Sequence, residues 1–148
     1  YLELLSAAII KNKFMNSPSI RILVVEDEAL IAMDICEKLT DMGYEVVKTA
    51  DNGADAIKFA EELKPDIVLM DIVIKGQMDG IEAAELIWDN FRIPSLFLTA
   101  YNSDSIIQRA RKFNPVDFLL KPFDDNKLQE AILEMNIQGA ISSHQKMN

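Results

Sequence analysis

Short apolar runs alternate with longer amphipathic stretches along the chain from residue 21 onward. Mostly apolar runs of about four to eight residues, bounded by turn formers, are typical of strands in a parallel sheet. The predicted strands are Ile22–Val25, Glu45–Thr49, Ile67–Met70, Ser95–Thr99 and Asp117–Leu120. The stretches between and after them have the spacing of helices. The predicted helices are Ala29–Met42, Gly53–Leu63, Gly80–Asn90, Ser103–Phe113 and Asp125–Asn136.

This alternation predicts an α/β fold in which crossover helices join parallel strands. We expect a doubly wound sheet of five parallel strands in the order 2-1-3-4-5, with helices on both faces. In the first helix, Leu30, Met33, Ile35 and Leu39 are predicted to face the sheet, and Gly43 follows the helix end.

The two ends of the chain lack this alternation. Residues 1–18 are interpreted as a leader or linker, native or appended, in which Met15 is a candidate start of the natural sequence. Residues 19–138 form the predicted domain. Residues 139–148, from Gly139 onward, are interpreted as a polar C-terminal tail.

Composition and charge narrow the classes of function. The 148 residues, 49% of them apolar, suffice for one sizeable core. A net charge of −9 would repel a phosphate backbone, so direct binding of nucleic acid is not expected. The apolar run Leu4–Ile10 is far shorter than the roughly 20 residues of a membrane-spanning helix, so no membrane association is expected. Cys36 is the single cysteine and cannot form an intramolecular disulfide, which favours a cytoplasmic location.

Groups suited to phosphoryl chemistry follow four of the predicted strands. Glu26 and Asp27 come directly after the first strand, Asp71 after the third, Thr99 ends the fourth, and Lys121 follows the fifth. Ligands of an open parallel sheet bind beyond the carboxyl ends of its strands, where these side chains should meet. Three clustered carboxylates need a counter-charge, and Mg²⁺ is usually held by carboxylates together with a phosphate. The set predicts phosphoryl transfer to a carboxylate, with the metal and the lysine as neutralising charges.

Each of these residues alone has an ordinary structural interpretation. Asp71 would be a strand-end residue, Glu26–Asp27 a charge preference at a helix N-terminus, Thr99 a helix cap and Lys121 a surface charge. The joint pattern at four strand ends favours the site. His144, the single histidine, is interpreted as an exposed bystander.

Several segments of the chain resemble the receiver domains of two-component response regulators. They are Ile22–Glu28, Asp71–Ile74 with Met78–Gly80, Leu98–Ala100 and Phe118–Phe123. The resemblance covers about residues 20–135 and lies in the order and spacing of the segments together. It implies a flavodoxin/CheY-like fold and a domain that accepts a phosphoryl group from a sensor histidine kinase and then changes conformation. Such a domain is not an enzyme, although it promotes its own phosphorylation and dephosphorylation.

The resemblance also assigns roles at the predicted site. It implies that Asp71 is the phosphoacceptor and a metal ligand, that Asp27 binds Mg²⁺ directly, and that Glu26 acts on the metal through water. The backbone carbonyl of Val73 would be a further metal ligand.

Further roles concern the switch and its partners. The resemblance implies that Thr99 and Lys121 contact the phosphoryl group, that Phe118 turns inward on activation, and that the Lys121–Pro122 bond is cis. An output or phosphotransfer partner is expected at the face formed by the fourth helix, fifth strand and fifth helix. Formation of a homodimer on phosphorylation is a separate expectation.

The chain departs from the family pattern in the loop after Asp71, and two positions beside the predicted site bear on how long a phosphoryl group would stay. The loop after Asp71 is one residue longer than the commonest family pattern and carries Lys75 where proline is frequent. In receiver domains, the positions of Val73 and Tyr101 flank the channel by which water reaches the phosphoaspartate. Neither residue carries a carboxylate or amide to orient water, and the ring of Tyr101 can obstruct it, so we expect a long-lived phosphorylated state.

Three alternatives remain at this point. A haloacid-dehalogenase-type phosphohydrolase would carry a second Asp two residues after its nucleophile, where this chain has Val73. A flavodoxin-like electron carrier would carry a hydroxyl- and Gly-rich loop after the first strand, where this chain has Glu26 and Asp27. A receiver-like scaffold that has lost phosphorylation would usually lack one of the site residues.

Overall fold

The computed structural model describes residues 19–100, 104–110 and 116–146. Its strands are β1 (Arg21–Val25), β2 (Glu45–Ala50), β3 (Ile67–Asp71), β4 (Ser95–Thr99) and β5 (Val116–Leu120). Its helices are α1 (Ala29–Asp41), α2 (Gly53–Leu63), α3 (Gly80–Phe91), α4 (Asp104–Ala110) and α5 (Asp125–Lys146). Most predicted ends lie within one residue of these bounds. The predicted ends of α4, at Ser103 and Phe113, lie outside the described residues.

The five strands pair in parallel in the order β2-β1-β3-β4-β5, which confirms the predicted topology. β1 pairs on both sides, with Val24 opposite Thr49 of β2 and Leu69 of β3. β4 joins the other side of β3, where Leu96 lies opposite Leu69. The winding direction reverses between β1 and β3, so the carboxyl ends of these two strands border the crevice where such sheets bind ligands.

Each face of the sheet has its own hydrophobic core. Successive side chains of a strand point to opposite faces, so β3 contributes to both cores. Val68 and Met70 pack with α2 and α3, whereas Ile67 and Leu69 pack with α1 and α5. Helices therefore cover both faces, as the continuous apolar strands predicted.

Two helices begin with side-chain caps close to the crevice. Asn52 precedes α2 and its Oδ1 accepts the backbone N–H of Asp55 at 2.9 Å. Asp79 precedes α3 and its Oδ1 accepts the backbone N–H of Glu82 at 2.9 Å. Because each cap fixes the start of its helix, it also fixes the loop that leads into the helix from the sheet.

The predicted inward face of α1 was partly wrong. Leu30 is 81% exposed and Met33 is 67% exposed, while Ala32, Ile35 and Leu39 are buried. The buried residues have the three- and four-residue spacing of one helical stripe. Leu30 and Met33 have the same spacing on another stripe, so the apolar pattern alone did not show which stripe meets the sheet.

The predicted end of α5 at Asn136 was also wrong, because the helix continues to Lys146. A glycine inside a helix costs only about 1 kcal/mol relative to alanine, so Gly139 need not end the helix. Met135 is buried and Ile137 is 59% exposed, which places the last described contact of α5 with the core near Met135. None of the described helices is long and apolar enough to span a bilayer.

Candidate functional site

The predicted residues meet at the carboxyl edge of the sheet. Glu26 follows β1, Asp71 ends β3, Thr99 ends β4 and Lys121 follows β5. Glu26, Asp27 and Asp71 each offer one carboxylate oxygen, and these three oxygens lie within 4.8 Å of one another. All five of these residues line one cavity of about 250 Å³, together with Val73. The sequence predicted this meeting because each group lies at or just after the end of a strand, and parallel strands bring their carboxyl ends to one edge of the sheet.

Lys121 links two of the carboxylates. Its Nζ donates to Asp71 Oδ2 at 2.9 Å and lies 3.6 Å from Glu26 Oε2. Burial alone would lower the pKa of Lys121, but the hydrogen bond and attraction to Asp71, followed by Glu26, outweigh it and raise the pKa. The Lys121 backbone N–H donates to the Thr99 carbonyl at 2.8 Å, and the Lys121–Pro122 bond is cis, as predicted.

Glu26 is the most strongly perturbed acid of the site. It is 4% exposed, and burial, followed by the neighbouring Asp71 carboxylate, raises its pKa from 4.5 to about 7. The backbone N–H of Glu28 donates to Glu26 Oε1 at 3.2 Å and, with the Lys121 charge, opposes this shift. Among the described residues, Glu26 Oε2 is buried without a hydrogen-bond partner. A charged Glu26 therefore calls for a further cation near Oε2.

The loop between β3 and α3 wraps the other side of Asp71. The backbone N–H of Val73 donates to Asp71 Oδ1 at 3.1 Å, and the Val73 side chain is 63% exposed. Ile72 and Ile74 are buried on either side of it. The Gly80 N–H donates to the Ile72 carbonyl at 2.9 Å, and a Cβ on Gly80 would collide with the Asp71 carbonyl. Glycine is thus required where α3 begins, since the loop and the strand end touch there.

The loop between β3 and α3 also makes an ion pair, which the sequence did not predict, with the loop after β2. Lys75 Nζ lies 2.9 Å from Asp51 Oδ2, and the backbones of Asn52 and Lys75 form an isolated parallel bridge. The hydrogen bond to Lys75, followed by that to Asn52, lowers the pKa of Asp51. The only sequence signal was the unusual lysine in the longer loop, which did not identify its partner 24 residues away in the chain.

The residues assigned to the switch are placed only in part. Thr99 is buried beside the carboxylates. Phe118 is half-buried and stacks on Phe97 with ring centroids 5.6 Å apart. Tyr101, assigned to lifetime, lies outside the described residues.

The cluster of Glu26, Asp27 and Asp71 could hold a metal ion. It offers only oxygen ligands, which suit a hard divalent cation. Glu26 Oε2 accepts no hydrogen bond from the described residues, and three carboxylates approach one another here. Both features fit such an ion, because its charge would stabilise the oxygen and reduce the repulsion.

Comparison with known proteins agrees with this geometry. The chain matches the response regulator receiver domain family over residues 22–133. It is 42% identical over 112 residues to the transcriptional regulatory protein PdtaR of Mycobacterium tuberculosis, in a match that covers 76% of this chain and 54% of that protein. The chain thus spans about half the length of this curated relative.

Two solved structures of receiver domains are similar in both fold and sequence. The signal receiver domain of a modulated diguanylate cyclase from Desulfovibrio desulfuricans has a TM-score of 0.75 and 35% identity, covering 82% of this chain and 96% of that one. The receiver domain of the sensor histidine kinase PA1611 from Pseudomonas aeruginosa, which has a magnesium ion coordinated in its active-site cleft, has a TM-score of 0.70 and 28% identity, covering 79% and 97%. The chain belongs to the response regulator receiver domain family of two-component signalling.

Proposed function

We propose that this domain accepts a phosphoryl group on Asp71 from a sensor histidine kinase, in the cytoplasm, and relays the signal by changing conformation. The observation that carries the proposal is the Asp71 carboxylate, held at 2.9 Å by the Lys121 ammonium beside two further acids. Thr99 lines the same cavity. An acceptor, a cation and a hydroxyl thus lie together, as phosphoryl transfer requires.

In the proposed reaction, an Asp71 carboxylate oxygen forms a bond to phosphorus while the bond between phosphorus and the donor histidine nitrogen breaks. The nitrogen leaves with the electron pair of that bond. Lys121 neutralises charge on the transferring group, and the Thr99 hydroxyl donates a hydrogen bond to one of its equatorial oxygens. The backbone N–H of Val73 keeps one Asp71 oxygen oriented through its 3.1 Å hydrogen bond.

Mg²⁺ is the metal we assign to the acidic cluster. Asp27, Asp71 and the Val73 carbonyl would bind it directly, and Glu26 would act through water. Bound Mg²⁺ would offset the negative charge that phosphoryl transfer brings to the site. Support comes from the oxygen-only ligand set and from the magnesium ion in the cleft of the PA1611 receiver domain.

The proposed output surface is formed by α4, β5 and α5. Phosphorylation would draw Thr99 toward the phosphoryl group and let Phe118 turn inward, which would change this surface for a downstream partner or for a second copy of the domain. We also propose a long-lived phosphorylated state, because neither Val73 nor Tyr101 carries a carboxylate or amide to orient an attacking water, and the ring of Tyr101 is large enough to obstruct its approach. Faster phosphate loss from a Tyr101→Ala variant would support a gating role for Tyr101, and equal rates would end it.

Labelling by acetyl phosphate, with and without Mg²⁺, tests the proposed function. The wild-type protein should incorporate one phosphoryl group in the presence of Mg²⁺, and Asp71→Asn should incorporate none. Asp89→Asn is the matched control, because Asp89 is an exposed acid on α3 away from the cluster. Labelling of Asp71→Asn at the wild-type level would refute the assignment. Absence of labelling in the wild type would instead favour a receiver-like scaffold that no longer takes a phosphoryl group.

A further inference from the structure

A lysine lies next to the acidic cluster without belonging to it. Lys75 and its partner Asp51 line a groove of about 970 Å³, which also contains Glu26 and Asp27. Glu26 and Asp27 also line the smaller site cavity that contains Asp71, so the groove and the site cavity share these two acids. Within this groove the Lys75 ammonium therefore has two sets of acidic groups available to it, its partner Asp51 and the pair Glu26 and Asp27.

The loop that carries Lys75 does not need its side chain to stay in place. Ile72 and Ile74 are buried, the backbone bridge joins Lys75 to Asn52, and Gly80 packs directly on the end of β3. The side chain of Lys75 is 59% exposed and that of Asp51 is 50% exposed. Exposed ion pairs contribute little to stability. The ion pair is thus poorly explained as a structural fastener.

The Asp51 carboxylate is oriented toward Lys75 by its neighbour Asn52. The Asn52 side-chain amide donates to Asp51 Oδ1 at 2.7 Å, which leaves Oδ2 for Lys75 Nζ at 2.9 Å. Asn52 is itself fixed as the cap of α2. The hydrogen bond to Asp51 is the largest cause of the raised pKa of Lys75, and attraction to Asp27 contributes as well.

We propose that Asp51 is a positioning residue that holds the Lys75 ammonium away from the acidic cluster and so leaves Asp27 open to a divalent cation. The inference rests on the proposed Mg²⁺ site. If Asp51 is lost, Lys75 swings across the groove to Asp27 and competes with the cation for the same carboxylate. Lys75 itself is dispensable for metal binding, because its removal leaves no competitor.

The test is a double-mutant cycle in which the Mg²⁺ dissociation constant of the full chain is measured by titration calorimetry. Asp51→Asn should weaken binding roughly fivefold, the upper end of what an exposed ion pair contributes. Lys75→Met should bind like the wild type, and the double variant Asp51→Asn/Lys75→Met should regain wild-type affinity. Glu37→Gln removes another exposed acid of the groove and should have little effect.

Other outcomes overturn the inference in distinct ways. An equal loss on Asp51→Asn with and without Lys75→Met would mean that Asp51 acts only through its long-range charge. An equal loss in both single variants would mean that the pair fastens the loop after all. Unchanged affinity in Asp51→Asn would exclude any role. Failure of the wild type to bind Mg²⁺ would instead overturn the proposed metal site, and this inference with it.

Discussion

At the scale of single residues, burial and neighbouring charge decide the protonation of Glu26. A carboxyl group with a pKa of about 7 is half protonated near neutrality, whereas the same group in the unfolded chain ionises near 4.5. The folded state therefore binds the more protons between these values, and the free energy of unfolding falls as pH rises through this window. Below pH 4.5 Glu26 is protonated in both the folded and the unfolded state, so it contributes no pH dependence of stability there.

The pH dependence of stability should reveal this proton. With chelator present, wild type is expected to lose up to about 3 kcal/mol of stability relative to Glu26→Gln between about pH 4.5 and 7. The difference should level off above pH 7, where Glu26 is ionised in both states. Urea unfolding of both proteins from about pH 4 to 8 measures this difference in stability. The range covers the pKa of 4.5 in the unfolded chain and of about 7 in the folded one. Parallel profiles would contradict a buried, crowded Glu26.

Lys121 differs from the acids because its proposed role is to couple phosphorylation of Asp71 to the conformational change. Lys121→Ala is expected to take up some phosphoryl group from acetyl phosphate, since Asp71 remains. It is expected to lose the conformational response, because the ammonium that contacts Asp71 is gone, although the backbone N–H of residue 121 can still donate to the Thr99 carbonyl. Phosphoryl labelling and amide exchange on the same samples measure the two effects separately. Lys127→Ala, at an exposed position of α5, is the control and should behave as wild type. A full conformational response in Lys121→Ala would contradict the coupling role.

At the scale of elements, α1 shows what a sequence pattern can and cannot decide. The ends of β1 and β3 were predictable because apolar runs stop there at Glu26 and Asp71. The rotation of α1 was not, because apolar residues occupy two stripes of the helix. The Lys75–Asp51 pair was not predictable either, since it joins two loops whose approach depends on the finished sheet.

The rotation of α1 gives a direct stability comparison. Leu39 is fully buried and Leu30 is 81% exposed, although both are leucines of one helix. Leu39→Ala is expected to lower the free energy of unfolding by about 2–5 kcal/mol, and Leu30→Ala by no more than about 0.5 kcal/mol. Urea midpoints measure both. Equal losses in the two variants would mean that Leu30 is covered in solution.

At the scale of the whole molecule, the proposed switch is a shift between two populations of one fold. Beryllofluoride with Mg²⁺ should mimic the phosphoryl group at Asp71 and bias the domain toward its active form. Amide exchange is then expected to change most in α4, β5 and α5. It should change least in α2, which packs beside β1 and β2 at the opposite edge of the sheet. Asp71→Asn should show no change under the same conditions. A response confined to α2 would contradict the proposed output surface.

The strand order also has a consequence for how the chain is made. Because β1 lies between β2 and β3, the first half of the sheet is complete once residue 71 has left the ribosome. β4 then adds to the open side of β3, and β5 adds to β4. Because synthesis proceeds from the N-terminus, β1, β2 and β3 are outside the ribosome before β4 is available to pair with β3. Until β4 emerges, the apolar strand β3 has no partner on that side, and an unpaired edge of this kind is the surface through which partly folded chains associate.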